Sequence, residues 1–273
     1  MKTKRLWDAA AFALLLAGAL LMVGPFVWML STSLKPIAEQ FDMRLIPVTP
    51  TLKNYPALFA VLPFHKMIWN SLVIAVLSTF GQVLTCSMAA FIFAIARFPG
   101  KNILFLILLI TLMVPAQVTA IPQFIIFKTL GLYGTQAPLI LPSFWGGAFG
   151  TFLLRQYFQT IPMELAEAAR IDGASLSRIF FTIYLPLAKP ALAALAVFAF
   201  MFSWNDLFNP LIYLPSDMNR TTLTVGLALF QSQYHGQWPL MMAGSLISVA
   251  PIIIAFFLAQ RHFISGISMS GLK

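Results

Sequence analysis

The largest group of acidic side chains in this chain stands in one short stretch. Glu164, Glu167 and Asp172 are three of the eight Asp and Glu residues, and Arg170 and Arg178 stand among them. Ala166, Ala168, Ala169, Gly173 and Ala174 fill the positions between. No hydroxyl or thiol there is spaced against a His, so the set offers no nucleophile with a base. The chemistry open to it is docking. Carboxylates and a guanidinium can pair with a partner, and small side chains let another surface approach closely.

Asp206 is the second candidate, the one acidic residue set inside an apolar run, flanked by Trp204, Asn205 and Asn209. Acidic groups within a membrane usually face the bundle interior or water. Asp206 also lies some 17 residues beyond Lys189, roughly 25 Å along a helix, so a solvated place at the membrane boundary is equally open. Gln117 and Gln123, beside Pro115 and Pro122, can line a pathway or bond the carbonyls those prolines free. His65, His235 and His262 have no metal-ligand spacing, and Ser31, Ser33, Ser175 and Ser177 lack a recognisable partner His. Cys86 is the single cysteine, which excludes an intramolecular disulfide and reads as a packed apolar group. No G-x-x-x-x-G-K-[ST] occurs, and Gly100-Lys101 is followed by Asn102, so no nucleotide P-loop is present.

These residues must be positioned within a bilayer. Hydrophobic residues make up 60% and charged residues 9% of the chain, with mean hydropathy +0.87. Apolar runs fall at about 9–33, 67–95, 102–127, 135–154, 190–213 and 239–260, broken by a charge only at Asp206. Each approaches the roughly 20 residues needed to cross the hydrocarbon core. They are continuously apolar rather than alternating, which favours helices over a barrel. The expectation is an all-α integral membrane protein of about six spanning helices forming one transmembrane domain over 1–273. The fourth run is the least regular, with Pro138, Pro142, Gly146, Gly147 and Gly150 inside it. The first run exceeds a signal-peptide core and is read as an uncleaved helix.

Basic residues set the expected orientation. Lys2, Lys4, Arg5, Arg97, Lys101, Arg155, Arg170, Arg178, Lys189, Arg261 and Lys273 fall on one side, eleven in all. Lys35, Arg44, Lys53, Lys66, Lys128 and Arg220, six in all, fall on the other. The bias places both termini in the cytoplasm. It makes the net charge of +9 a matter of topology and anionic lipid, not of nucleic acid. Outer loops are expected at about 34–66, where five prolines favour extended chain with short helical turns, at about 128–135, and at about 214–238. The last is polar and contains Gln231, Gln233, Tyr234, His235, Gly236, Gln237 and Trp238. Trp69, Trp145 and Trp238 suit interfacial belts.

The polar stretch falls on the inner side as an elbow over about 160–186. Thr160 is a plausible N-cap, Pro162 suits the first turn, and Gly173 a stop. Ser175 can cap a second short helix that Pro186 ends.

Glu167-Ala168-Ala169, Gly173 and Ile183-x-Leu185-Pro186 stand at the offsets of the EAA loop, and the chain resembles importer permeases of the ATP-binding cassette class. Ser33-Leu34-Lys35-Pro36, Asn70-Ser71-Leu72, Ala96-Arg97-Phe98, Val114-Pro115 and Ser203-Trp204-Asn205-Asp206 extend the likeness to the sugar-importing branch, with its maltose- and glycerol-phosphate-type members. The resemblance implies the type I importer permease fold and a heterodimer with a second permease. It implies two ATP-binding subunits, carrying ATP and Mg, that engage Glu164, Glu167, Ala168, Ala169, Arg170, Asp172, Gly173, Ile183, Leu185 and Pro186. It also implies an extracytoplasmic binding protein that delivers a sugar or sugar-like solute, with Gln233, Tyr234, His235, Gly236 and Gln237 as candidate contacts. No cofactor is implied in this chain itself, and location is the prokaryotic plasma (inner) membrane. A stand-alone secondary transporter would be expected to carry embedded carboxylates or basic relays, and a membrane enzyme a buried catalytic pair; Asp206 alone supplies neither.

Overall fold

A computed structural model describes residues 2–215, 217–233 and 236–270. Every described regular element is helical. In chain order these are α1 (Lys2–Ser33), α2 (Asn54–Val61), α3 (Phe64–Ile95), α4 (Lys101–Ile110), α5 (Ala116–Thr129), α6 (Ala148–Phe158), α7 (Met163–Ile171), α8 (Leu176–Leu187), α9 (Lys189–Trp204), α10 (Phe208–Tyr213), α11 (Leu223–Gln233) and α12 (Trp238–Ser270). Four described stretches are long and apolar enough to cross a membrane: Ala10–Ser33, Phe64–Ile95, Ala137–Phe158 and Trp238–Gln260. Two bent pairs bring the number of spans to as many as six, Lys101–Met113 with Ala116–Thr129 at 99° and Leu176–Leu187 with Lys189–Trp204 at 80°.

The bends lie where the sequence cannot hold a straight helix. At the first, Pro115 has no N–H to continue the ladder, and Val114 before it is extended at φ −82°, ψ 115°. At the second, Ala188 turns the chain between Pro186 and Pro190. The irregular fourth run is also long and apolar enough to cross, over Ala137–Phe158. It begins as short helical turns over Ala137–Trp145, pauses at Gly146 with φ +84°, and continues as α6. Its glycines permit close packing: a Cβ at Gly150 would lie 2.8 Å from Cys86 Sγ and 3.0 Å from Leu195.

The chain divides into two compact units, Met1–His65 with Gly226–Ala250, and Lys66–Val225 with Pro251–Lys273. In the first unit, the segment after α1 is pinned by buried Asn54, whose amide donates to the carbonyls of Ser33 at 2.7 Å and Lys35 at 2.8 Å. Lys35 is fully buried; its ammonium donates to the Asp42 carbonyl at 2.6 Å and lies 4.5 Å from the Trp28 ring. Glu39 accepts from the Thr49 hydroxyl and from the Val48 and Thr49 amides, and these bonds hold its carboxyl below the ordinary carboxylate range. The expected extended loop with short helical turns is therefore tied down from within.

In the second unit, the core joins the end of α3 to α6, α7, α8 and the start of α9. Phe91, Phe158, Phe180 and Tyr184 meet there ring to ring at centroid distances of 5.1 to 6.5 Å. The stretch 214–238, expected as a polar outer loop, is partly helical. It contains α11, whose Leu223, Val225 and Phe230 are buried. Leu223, Val225 and other apolar residues interleave with polar ones there, so the helical signal is weaker than in a spanning run. The fifth run also ends early as a helix: α9 stops at Trp204, and α10 follows after a break.

Candidate functional site: an exposed elbow and a polar cavity

The elbow begins with Pro162 at φ −55°, ψ 129° in the cap position of α7, so the proline precedes the first turn. Thr160 does not cap it; its hydroxyl donates to the Tyr157 carbonyl at 2.7 Å. The N-terminal end of α7 carries Glu164, where a negative charge meets the positive end of the dipole. The far end closes as a Schellman motif. Gly173 adopts φ +79°, its N–H bonds the Arg170 carbonyl at 3.0 Å, and the Ala174 N–H bonds the Ala169 carbonyl at 2.8 Å. Ser175 then accepts from the Arg178 amide at 3.3 Å and starts α8.

Pro186 does not end α8, which runs on to Leu187. The five residues before Leu185 form a wide π turn, in which the Leu185 N–H reaches the Phe180 carbonyl. That loosened ladder carries the helix across a residue with no N–H to give.

Two faces result. Ala166 is fully buried, and Ala169, Ala174, Ile183 and Leu185 pack against the same aromatic core. Part of the small-residue face is thus filled by the chain itself. Glu164, Glu167, Ala168, Arg170, Ile171 and Asp172 are exposed, Ile171 by 86%. Glu164, Glu167, Ala168 and Ile171 follow helical spacing along one outward ridge. No ion pair joins Arg170 to Asp172 among the described residues, whose ion pairs are Arg44–Asp42 and Arg220–Asp217.

A cavity of about 610 Å³ lies elsewhere in the same unit. Gln123, Asp206 and Asn209 line it together with Ser78, Gln82, Ser143, Ser203 and Tyr213, among apolar neighbours such as Phe149, Phe198 and Phe202. Asp206 sits in the break between α9 and α10. It accepts from the Asn209 amide at 3.2 Å and from the Asn209 side chain at 2.8 Å, which closes the first turn of α10. Among the described residues, no Lys or Arg lines the cavity. Gln117 is exposed and outside it, Trp204 is buried and outside its lining, and Asn205 turns its amide to the Met201 carbonyl at 2.8 Å. The Gln123 side-chain amide donates to the Thr119 hydroxyl at 3.2 Å rather than to a carbonyl freed by proline.

Ser78, Gln82 and Ser143 were missed from sequence. Ser78 and Gln82 stand one turn apart on α3, and Ser71 and Thr85 share that face, so a polar stripe on an apolar helix was the available signal. Ser78 donates to the Leu139 carbonyl at 3.1 Å and Thr85 to the Ser143 carbonyl at 3.2 Å. These bonds tie α3 to the irregular turns before α6. At the other group of expected contacts, Gly236 adopts φ +93° and is exposed, and Gln237 is half-buried. Tyr234, His235 and the Gln233 side chain lie outside the described residues.

Several helices long and apolar enough to cross a membrane, with an amphipathic elbow turned outward and a cavity lined by amides and hydroxyls, are the features of a multi-pass transport subunit. Residues 82–269 match the family described as the binding-protein-dependent transport system inner membrane component, and the chain belongs to that family. The arabinooligosaccharides transport system permease of Halalkalibacterium halodurans is 36% identical over 264 residues, covering 93% of this chain and 92% of that protein. The lactose transport system permease of Rhizobium radiobacter is 31% identical over 263 residues, covering 96% of each. The sn-glycerol-3-phosphate transport system permease of Salmonella typhi is 36% identical over 233 residues, covering 82% of each. In fold, the chain is similar to a chain of a bacterial ABC transporter involved in the import of the acidic polysaccharide alginate, with TM-score 0.82, 24% identity, and 96% and 98% of the two chains covered. The chain is therefore an all-α, multi-pass ABC importer permease.

Proposed function

We propose that this chain is one of a pair of unlike permeases that carry a sugar or sugar-like solute inward, driven by two partner ATPases that dock on α7. The ATPases, not this chain, bind and hydrolyse ATP with Mg. An extracytoplasmic binding protein delivers the solute at the opposite face, near Gly236 and Gln237, and both termini lie in the cytoplasm. The carbohydrate class rests on the named relatives, whose substrates are oligosaccharides, lactose and a glycerol phosphate. The cavity agrees with it: hydroxyls and amides beside aromatic rings suit a hydroxylated solute.

The single observation that carries the coupling role is the division of α7. Its inner face is filled by Ala166 and Ala169 packed on the aromatic core, so a force on its outer ridge moves α8 and the start of α9 with it. Glu164, Glu167, Ala168 and Ile171 give the ATPase a surface that combines charge with one exposed apolar side chain. Arg170 and Asp172, unpaired with each other, are available to its side chains. Hydrolysis drives transport only through the different affinity of the ATPase pair for the two permease states. The test is uptake by cells carrying Ala168→Trp. The variant protrudes from the ridge without entering the core. Uptake is expected to fall at least tenfold with normal membrane levels; parental uptake contradicts the docking role.

A further inference from the structure

A second cavity, of about 500 Å³, lies at the elbow's end of the second unit and is not used by the transport role. Arg97, Lys101 and Arg155 line it with Phe98 and Ile103, and no acidic side chain does. The shared aromatic core, which holds Phe91 and Ile95 of α3 with Leu154 and Phe158 of α6 against Ala166 of the elbow, fixes its place in the fold.

Two of the cations are held in position. Lys101 donates to the carbonyls of Ala94 at 3.3 Å and Ala96 at 2.8 Å, and Arg155 Nε donates to the Phe93 carbonyl at 3.2 Å while its guanidinium lies 4.1 Å from the Phe105 ring. These contacts close the C-terminal end of α3, which is one reason for a cation there. They do not account for three. A helix C-terminus offers about half a negative charge against three positive ones. Arg97 takes no part in the closure, and the Arg155 Nη groups keep their donors.

The cavity thus presents a fixed guanidinium, an ammonium and an exposed Arg97 with net positive charge, where a spanning segment begins. Beside it α4 exposes Ile103 by 65% and Ile107 by 54%, one turn apart. A free anion would need only the cations; this site adjoins an apolar ridge as well. We propose that the cavity binds the phosphate of an anionic phospholipid, whose acyl chains lie along Ile103 and Ile107. The arginines supply the forked donors a phosphodiester accepts.

The test uses the full chain purified in detergent micelles. It is titrated with fluorescent phosphatidylglycerol and with the matching phosphatidylcholine. Phosphatidylglycerol is expected to bind more tightly. Each basic residue near an anionic lipid is worth about fivefold in affinity. Arg97→Gln, whose side chain closes no helix, should therefore weaken phosphatidylglycerol about fivefold, and Arg97→Gln with Lys101→Gln roughly thirtyfold. Phosphatidylcholine binding should not move. Lys53→Gln, on a separate exposed loop, should leave both affinities unchanged. Parental phosphatidylglycerol affinity in Arg97→Gln would overturn the proposal, as would an equal loss in Lys53→Gln, which would make the effect diffuse surface charge. Displacement of the lipid by 10 mM inorganic phosphate at constant ionic strength would make the occupant a free phosphate and overturn the lipid assignment.

Discussion

The elbow and the polar cavity distribute their polar groups in opposite senses. On α7 Ala166 and Ala169 turn inward and the charges outward, so Ala166 is buried while Glu164, Glu167 and Asp172 face solvent. Around the cavity polar groups from several elements converge inward, set among large apolar side chains such as Phe149, Phe198 and Phe202. The first arrangement is that of a handle, rigid on one side and chemically distinctive on the other. The second suits a solute that must be hydrated piecemeal by the wall it passes. One unit of the chain holds both, and the path between them is short in sequence: α8 and α9 link the elbow directly to the break at Asp206.

The sharpest way to separate the two faces of the elbow is to enlarge one alanine on each. Ala166→Trp forces a large ring into a filled core and should destabilise the protein by about 3 kcal/mol or more. A detergent melting curve should show a large drop or no folded protein. Ala168→Trp should leave the melting temperature nearly unchanged, because exposed substitutions typically shift stability within about 0.5 kcal/mol. Equal effects at both positions would erase the distinction between the faces.

On the cavity side, Gly150→Val tests the close approach of α6 to α3 and α9. Its Cβ would meet Cys86 and Leu195 at 2.8 and 3.0 Å, so a loss of about 1–3 kcal/mol is expected by the same melting measurement. A smaller effect is expected for Asp206→Asn, which keeps hydrogen-bonding capacity toward Asn209 and removes the charge from the wall. Uptake should fall severalfold with unchanged melting. Unchanged uptake would place Asp206 as a helix-closing residue only.

The smallest effect concerns the first unit. The folded-state carboxyl of Glu39 titrates below its ordinary value of 4.5 because Thr49 and Val48 donate to the ionised form. Its contribution is therefore present above that value and lost as pH falls through the lower folded value. Amide exchange at Val48 and Thr49 should stay slow, relative to intrinsic rates, from pH 7 down to 4.5 and accelerate only below that. Glu39→Gln should remove this dependence.

The elbow was far more legible in sequence than the cavity, for a physical reason. Its residues are consecutive, so helical spacing, Gly173 and Ser175 suffice to place the turn; Thr160 as cap, Pro162 in the first turn and the ending at Pro186 were misplaced. The cavity gathers residues from α3, α5, α9, α10 and the turns before α6. Asp206, Asn209 and Gln123 stood out as polar groups near apolar surroundings. Ser78 and Ser143 are common in spanning helices and carry no mark until packing brings them together. Trp204 and Asn205 flank Asp206 in sequence but leave the cavity, because the helix ends between them. The same end of α9 explains why 190–213 looked like one helix: composition continues across the break while the backbone does not. In 214–238, polar residues concealed α11.

We place the proposed ATPase contact on the outer ridge of α7. It is tested most directly by purifying the tagged chain from its native membrane in mild detergent, parental and Ala168→Trp side by side, and identifying what accompanies each. The parental chain is expected to bring a second permease and an ATP-binding subunit, and Ala168→Trp to keep the permease and lose the ATPase. An ATPase retained in full by Ala168→Trp, or none with the parental chain while the second permease is present, would contradict the account.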